Sequence, residues 1–488
     1  MILGLDSGLT STKAVIFDHR GRVTGSATAP TPRSELADRH SERDPDDHWA
    51  TTARVIADAV RAAGHPDRSR PREIEAIALA GHGDGLYLVD DRLRPVGPAV
   101  LSSDTRATPI LRRWATGDVF EQALRAGGTV PFAGSPAPLL AWFADHEPMA
   151  LRRARWLLTA KDWLRARLTG SIATDPTDAA SSFTDHGRWD YSDELLGLFG
   201  LSALRPKLPP IRPSASVAGT LTAAAAGLTG LPAGLPVITG LHDVTASHLG
   251  TAGPRLGQAT VIAGTFGVNV ALADRPVASA RVTCRPGPVP GRWTLRRTSP
   301  ASGANLDWAV SRFAPTGAIE GSVGPSVDRA LAAPADDDAP CYLPYLFGGP
   351  WDGPQTASLL GLRAAHTEVD LLRAVLYGVT FTHRTDLELV CGLVPVETVH
   401  LAGGAAANPR WAQLFADVLE RPIEVTGTGW SAALGAALCG AVAIGAAADL
   451  ATAFALLSGA RRVIEPDPDR WPALRRGYAT FLDQLRRS

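Results

Sequence analysis

Two aspartates, each delivered by an apolar run to a turn of small residues, are the groups best placed to do chemistry in this 488-residue chain. Asp6 lies in LGLDSGLTSTKAVIFD, followed by Gly8, Thr10, Ser11 and Thr12, with a second apolar run from Ala14 to Phe17 leading away. This reads as a β-hairpin whose tip offers small residues, hydroxyls and free backbone N–H groups beside a carboxylate. Polyphosphate suits such a tip, because small side chains let the backbone approach and the donors meet anionic oxygens. Asp6 would then hold Mg²⁺, a hard cation that prefers carboxylate, water and phosphate oxygens. An ordinary hairpin with a polar turn is the alternative from this segment alone. Asp243 ends the run Gly240-Leu241-His242-Asp243, ahead of Thr245, Ala246 and Ser247. A carboxylate there can take a proton from a substrate hydroxyl as general base. Phosphoryl transfer otherwise needs mainly positioning and charge neutralisation. A helix N-cap, worth about 1 kcal/mol, is the structural alternative for Asp243.

Further polar groups sit on glycine turns. GHGDG, Gly81 to Gly85, displays His82 and Asp84 directly after an apolar strand, and Asp84 could hydrogen-bond two vicinal hydroxyls. A hairpin turn is the plainer account, since Asp-Gly is common there. Asp104 in SSDTRA is open to a helix-start reading as well as a site role. GTFG, Gly264 to Gly267, lies between two apolar runs, and Gly403-Gly404 with Asn408 offers close approach to a flat ligand plus an amide. For Asn408 the alternative is the start of a helix at Asn408-Pro409. GTGWSA, Gly427 to Ala432, fits G-x-G-x-x-A, but it lies late in the chain before an Ala-rich helix. A dinucleotide site would need it at the opening of a βαβ unit, so a nicotinamide cofactor is disfavoured.

Strands that end at these turns, with helices crossing between them, must position such groups. Ile74–Ala80 and Leu235–Gly240 read as strands, as do Ala259–Ala263 with Val268–Ala273 as a hairpin, and Thr398–Ala402. Helical spacing marks Asp46–Ala63, Thr108–Ala115, Pro138–Asp145 and Ala160–Leu168, and a helix carries Trp411, Leu414, Phe415 and Val418 on one side. Proline- and glycine-rich stretches at Pro206–Pro213 and Gly227–Pro236 precede what looks like a second start, which puts a domain boundary near residues 245–255. The expectation is a duplicated α/β architecture, residues 1–248 and 249–488, with a cleft between.

Bulk composition narrows the classes. Hydrophobic residues make up 45% and charged residues 20%, which describes a globular chain too long for one core. A net charge of −1 without a basic block argues against a nucleic-acid partner. Cys284, Cys341, Cys391 and Cys439 form no CxxC pair, so neither a zinc site nor a disulfide framework is indicated. No basic segment followed by an apolar core marks a secretory signal. The apolar stretch Ala432–Ala448 is mostly Ala and Gly, so a buried helix is expected rather than a membrane span, and the protein is expected in the cytoplasm. Lys13, Lys161 and Lys207 follow Thr, Ala and Pro, so no Gly-Lys dipeptide exists to build a P-loop.

The order and spacing of these motifs resemble the FGGY carbohydrate kinases of the actin-like ATPase superfamily, over nearly the whole chain. DSGLTSTKAVIFD looks like the family's first phosphate segment, and Glu42, Asp44, Pro45 and Trp49 form its E-x-D-P-x-x-x-W. KDWLRARLTG, TDPTDAASSF, GLHDVTASHLG, GTFG, SGANLDW and AGGAAANPRWAQLFADVL follow in the family's order. The resemblance implies two RNase H-like domains, ATP and Mg²⁺ as cofactors, and a small sugar or polyol as substrate. It makes Asp243 the catalytic base and Asp6 the metal residue, and puts His82, Asp84, Asp104 and Asp243 against the sugar. Thr10, Ser11 and Lys13 would lie near the terminal phosphates. Gly264, Thr265 and Gly303 would line the phosphate and ribose side, and Gly404 and Asn408 would meet adenine. Leu139 stands where the family usually has Lys, and GHGDG matches neither the glutamine-containing turn of typical xylulokinases nor the Arg-Glu turn of glycerol kinases. GDGLYLVD with SSDTRA looks closest to L-xylulose and tetritol kinases. A pentulose substrate is therefore expected, with an erythritol- or glycerol-type polyol, or a catalytically silent sugar-binding relative, as alternatives. A homodimer is the candidate assembly, with no nucleic acid or membrane partner.

Overall fold

The computed structural model describes residues 1–36, 40–64, 74–313, 323–332, 339–349, 355–426 and 429–487. The chain folds into two compact units that are not contiguous halves. The first comprises Met1–Arg255, Ala273–Leu295 and Trp430–Gly459, and the second Leu256–Leu272, Arg296–Gly429 and Ala460–Ser488. The first crossing, at Arg255, falls at the Gly/Pro-punctuated restart read from the sequence. The two later returns to the first unit have no compositional mark, so the division differs from 1–248 and 249–488.

In the first unit, β1 (Ile2–Ser7), β2 (Ser11–Phe17) and β3 (Val23–Pro30) form an antiparallel meander. β4 (Ala76–Gly81) joins β1 in parallel, and β5 (Val217–Thr220), β6 (Pro236–Ile238) and β7 (Leu241–His242) complete the sheet. The order is β5-β6-β4-β1-β2-β3, with β7 also parallel to β4. Alternate residues bury on opposite faces, so the strands are apolar throughout, as a sheet covered on both sides requires. Leu3, Leu5, Ile16 and Leu79 pack with Trp49 and Ile56 of α1 (Pro45–Ala62) and Trp163 of α2 (Ala160–Thr169). Ile2, Val15, Phe17 and Ala78 pack with Leu249 of α3 (Asp243–Ala252) and Leu434 and Leu438 of the helix Ser431–Ala443. The E-x-D-P-x-x-x-W motif is a helix start in physical terms. Asp44 accepts the Asp46 and Asp47 N–H groups, Pro45 opens the first turn, and Trp49 enters the core.

In the second unit, β8 (Gly257–Ala263) and β9 (Gly267–Ala273) form a hairpin, and β10 (Val396–Gly403) lies parallel to β8. β11 (Ile423–Thr426) is parallel to β10, and β12 (Arg461–Ile464) closes the run antiparallel. α4 (Gly303–Phe313), α5 (Glu368–Cys391) and α6 (Pro409–Leu419) belong to this unit. No helix among the described residues is long and apolar enough to cross a membrane.

The Ala-rich helix Ser431–Ala443 lies directly against α3. A Cβ on Gly435 would sit 2.0 Å from the Ala246 carbonyl oxygen, and one on Gly250 2.0 Å from that of Ser431. Backbone contacts this close admit no side chain. Gly435→Val is therefore expected to force the helices apart and lower stability by about 2 kcal/mol or more. Chemical denaturation checks this; a midpoint equal to that of the parent would refute the close-packing account.

Candidate active site

Register is what assembles the site in the first unit. β4 pairs in parallel with both β1 and β7, so that Gly81 stands opposite Ser7 on one side and His242 on the other. The next or preceding residue on each strand is Asp6, His82 or Asp243, and these three therefore gather at the carboxyl ends of parallel strands. Open α/β sheets bind ligands at that edge.

Asp6 pairs in register with Lys13 across the hairpin, with Nζ 3.8 Å from Oδ2. Thr10 and Ser11 are half-buried at the tip. Thr12 turns inward, contrary to a tip displaying all its hydroxyls: its Oγ1 lies 3.2 Å from Ser7 Oγ and 3.0 Å from Thr31 Oγ1. Ser7 Oγ is 2.7 Å from His48 Nε2, and the buried Arg43 donates to the Leu9 and Pro32 carbonyls at 2.8 Å each. The turn is thus held from beneath by a buried polar network, which keeps its backbone in place for a ligand. Burial pushes the Asp6 carboxyl up to about 6; Lys13 opposes this and the nearby Asp243 charge adds to it.

Asp243 opens α3 as its first residue, while His242 is the N-cap, so the capping account of Asp243 does not hold. Its Oδ1 lies 3.0 Å from His242 Nδ1 and accepts the Val244 N–H at 2.7 Å. Burial would raise its pKa, but the His242 hydrogen bond, the His242 and His82 imidazoles and the Val244 N–H outweigh that and hold it below the usual carboxylate range. Two neighbouring carboxylates are thereby made unequal. Asp243 stays ionised and, at 27% side-chain exposure against 13% for Asp6, is the more open of the two.

GHGDG is not a hairpin. After β4 the chain bends through Asp84 and Gly85 in left-handed conformation (φ 59° and 67°), and Tyr87–Val89 pairs with Trp156–Leu158 rather than with β4. Gly83 has no room for a side chain, since a Cβ would fall 2.1 Å from His242 Cδ2 and 2.8 Å from Asp178 Oδ1. His82 Nε2 reaches Ser102 Oγ at 2.9 Å, and burial lowers its imidazole to about 4 despite the opposing Asp243 charge. Asp84 is gripped by Arg285, with Nη2–Oδ1 2.9 Å and Nη1–Oδ2 3.3 Å, and lies 3.8 Å from His242 Nε2. Asp104 has a different occupation. Both its oxygens take Arg106 at 2.9 and 3.0 Å, Oδ2 takes the Ser41 N–H, and the helix after it starts only at Thr108. It therefore neither starts a helix nor presents a free carboxylate; with Arg106–Glu42 (2.6 Å) it fixes the loop that carries Ser102.

The sequence reading missed Arg285, the role of His242, and a buried charge cluster behind Gly83. Lys161 Nζ lies 2.8, 3.2 and 3.2 Å from Asp162, Asp175 and Asp178, all fully buried. Burial works against the Lys161 ammonium, but these three charges hold it above its usual range; burial pushes Asp178 up. Lys161 in a helical stretch otherwise reads as a solvated face. Three aspartates within TDPTDAASS and its neighbour KDW were the available signal.

In the second unit the glycine motifs meet. Gly264 and Thr265 form the β8–β9 turn, the Gly303 N–H donates to the Gly264 carbonyl at 2.9 Å, and the Ala304 N–H to that of Thr265 at 3.2 Å. Ala263 stands opposite Gly403, which brings Gly404 to the same edge. Thr265 and Gly404 are exposed there. Asn408 caps α6 by accepting the Trp411 N–H, and its amide donates to Asp328 at 3.0 Å. Of GTGWSA, Gly427 and Thr428 lie outside the described residues.

Strand-end carboxylates on a hydroxyl-bearing hairpin in one α/β unit, and gathered glycine turns in another, define the two-domain fold of the sugar kinases. Residues 1–250 match the N-terminal domain and residues 259–444 the C-terminal domain of the FGGY family of carbohydrate kinases, and the chain belongs to that family. It is similar to a probable L-xylulose kinase of Haemophilus influenzae (28% identity, covering 98% of this chain and 97% of the relative). An erythritol kinase of Brucella abortus is 31% identical over 91% of this chain and 88% of its own length. The crystal structure of xylulose kinase from Rhodospirillum rubrum superposes with a TM-score of 0.85 at 27% identity, covering 99% of this chain and 98% of that one.

The raised Asp6 pKa has a consequence for stability. Between the ordinary value of 3.8 and about 6 the folded state holds more protons than the unfolded state, so this group's contribution falls as pH rises through that window. Asp6→Asn removes the disfavoured charge. Thermal denaturation in metal-free buffer is expected to show a gain of about 1–3 kcal/mol at about pH 7.5 that fades toward about pH 4. A loss at neutral pH, or a gain independent of pH, would contradict the assignment.

Proposed function

We propose that this kinase transfers the γ-phosphate of ATP to a hydroxyl of a pentulose. The observation that carries the reading is Asp243, an ionised and partly exposed carboxylate next to His242 and near Asp6. Asp243 orients the acceptor hydroxyl and receives its proton as the bond to phosphorus forms. Its low pKa suits late proton transfer, because phosphoryl transfer depends more on positioning and charge than on a strong base. His82, Ser102 and Asp84 bind the sugar's other hydroxyls. Thr10, Ser11 and the hairpin N–H groups meet the terminal phosphates, and Lys13 adds positive charge.

Asp6 fits a Mg²⁺ ion. It is a nearly buried carboxylate whose charge is disfavoured where it stands, and one or two carboxylates are the usual protein share of a Mg²⁺ shell. When bound, the ion neutralises charge on the phosphates. In the second unit, Gly264, Thr265 and Gly303 give the backbone close approach to phosphate and ribose. Gly404 leaves room for the flat adenine, with Asn408 fixing that turn.

The pentulose assignment is supported by the L-xylulose and xylulose kinase relatives. The erythritol kinase at 31% identity favours a polyol as the second reading. A catalytically silent role fits poorly with Asp6 and Asp243 both present in one site. ADP release with ATP and Mg²⁺ across pentuloses, pentitols, tetritols and glycerol is expected to be fastest with a pentulose. Faster turnover of a tetritol would transfer the assignment to the polyol class, and no turnover would end the proposal. Asp243→Asn is expected to keep nucleotide binding and to lose at least about 10²-fold in kcat. Near-parental kcat would remove Asp243 from its role.

A further inference from the structure

His383 lies on α5, outside every motif read from the sequence, and is 2% exposed. Its ring meets three elements of the second unit that carry or adjoin the glycine turns. Nδ1 lies 3.3 Å from Asn269 Oδ1 on β9, the strand that leaves the Gly264–Thr265 turn. Nε2 lies 3.1 Å from the hydroxyl of Ser302, the residue before Gly303 and α4. The ring also packs edge-on against Phe415, with centroids 5.4 Å apart, on α6, the helix that Asn408 caps. Behind the turn it fills the place of a side chain: a Cβ on Gly267 would fall 2.9 Å from His383 Cε1 and 3.2 Å from Ser302 Cβ.

We propose that His383 is the positioning residue of the nucleotide turns, holding Ser302 so that the backbone at Gly303 and the Gly264–Thr265 turn keep one fixed fit for the ribose and phosphates of ATP. The inference rests on the kinase reading above, and His383 acts through Ser302 rather than on the nucleotide. The fit that it holds is tight. The Gly303 N–H donates to the Gly264 carbonyl at 2.9 Å and the Ala304 N–H to that of Thr265 at 3.2 Å, while a Cβ on Gly303 would fall 2.5 Å from the Gly264 oxygen. A displacement of Ser302 therefore passes directly to the turn.

The chemistry of the ring suits a hold from two sides. Burial lowers its pKa to about 3, so the imidazole is neutral. A neutral imidazole offers one donor and one acceptor, and the Asn269 amide and the Ser302 hydroxyl engage one each. Its frame is fixed as well. Asp386, three residues along and on the same side of α5, accepts from Arg297 Nε at 2.8 Å, with both side chains 6% exposed. Arg297 lies on the strand Trp293–Ser299 that leads into Ser302, so α5 grips this segment at two points. An apolar side chain would fill the same space without desolvating two ring nitrogens, which makes packing alone a poor account of a histidine here.

His383→Leu, His383→Gln, Ser302→Ala and the His383→Leu/Ser302→Ala double variant test this, each normalised to folded protein. KM for ATP, KM for the sugar and kcat are measured, with calorimetric binding of ADP as a readout that needs no turnover. His383→Leu keeps bulk and removes both bonds. It is expected to raise KM for ATP and weaken ADP binding about 10-fold, with kcat and the sugar KM within about 2-fold of the parent. Ser302→Ala is expected to act in the same direction, the double variant to be no worse than His383→Leu, and His383→Gln, which can still donate and accept, to recover most of the loss. Parental ADP affinity in a folded His383→Leu enzyme, a loss shared equally by ATP and sugar, a loss confined to kcat, or additive effects in the double variant would overturn the proposal. Should His383→Leu not fold, Ser302→Ala decides, since it removes the bond and leaves the ring: unchanged ADP affinity then refutes the inference. Variants that match a parent active on ATP refute this inference alone, whereas a parent that binds neither ATP nor ADP refutes the kinase reading and this inference with it.

Discussion

Two carboxylates held at neighbouring strand ends are the constraint around which the first unit is built. Asp6 and Asp243 repel each other, and water is largely excluded from Asp6. The structure resolves the conflict by giving the two different surroundings. His242 and the Val244 N–H satisfy Asp243 and keep it charged, while burial makes charge costly on Asp6 and leaves Lys13 as its counterion. Asp243 is left charged and partly exposed, and Asp6 is left with a charge that its surroundings disfavour. The same amino acid titrates differently because its environments differ.

That arrangement depends on polar groups placed behind it. The Lys161 cluster lies behind Gly83 and the His242 imidazole, and Thr177, itself bonded to Asp175, accepts the His242 N–H at 2.8 Å. On the other side, Arg43, His48, Ser7 and Thr12 hold the hairpin turn. Buried ionic groups of this kind contribute little to stability against apolar packing, but they resist displacement, because breaking a pair leaves an unpaired charge in the interior. A site that must orient a hydroxyl benefits from that stiffness.

Much of the fold was legible from residue order. Apolar runs ending in Gly and Asp located β1, β4 and β8, helical spacing located α1 and α2 within a residue or two of their ends, and the one-sided set Trp411, Leu414, Phe415 and Val418 marked α6 without bounds. Asp6 and Asp243 were identifiable because a lone acid after an apolar strand is conspicuous. Asp104 and Asn408 read equally well as structure or site, and the structure commits both side chains to other bonds, Asp104 to Arg106 and Ser41, Asn408 to its helix and Asp328. The discontinuous first unit was not legible. The helix Ser431–Ala443 looks merely apolar, and its packing against Ala246, Leu249 and Gly250 is what assigns it to α3.

By itself, then, the sequence determined what is local: the hairpin, the helix starts, the glycine turns and the presence of strand-end acids. Those follow from nearest-neighbour stereochemistry and from periodic burial, which a linear string records. Tertiary structure alone decided which charges share a site. Asp84 and Arg285 are 201 positions apart and His82 and Asp243 meet only through the register of β4 with β7, and no spacing rule spans such distances. Contacts of that range are fixed by how the sheet closes, and so the strand-end place of Asp243 was written in the chain, while its pKa was set by the fold.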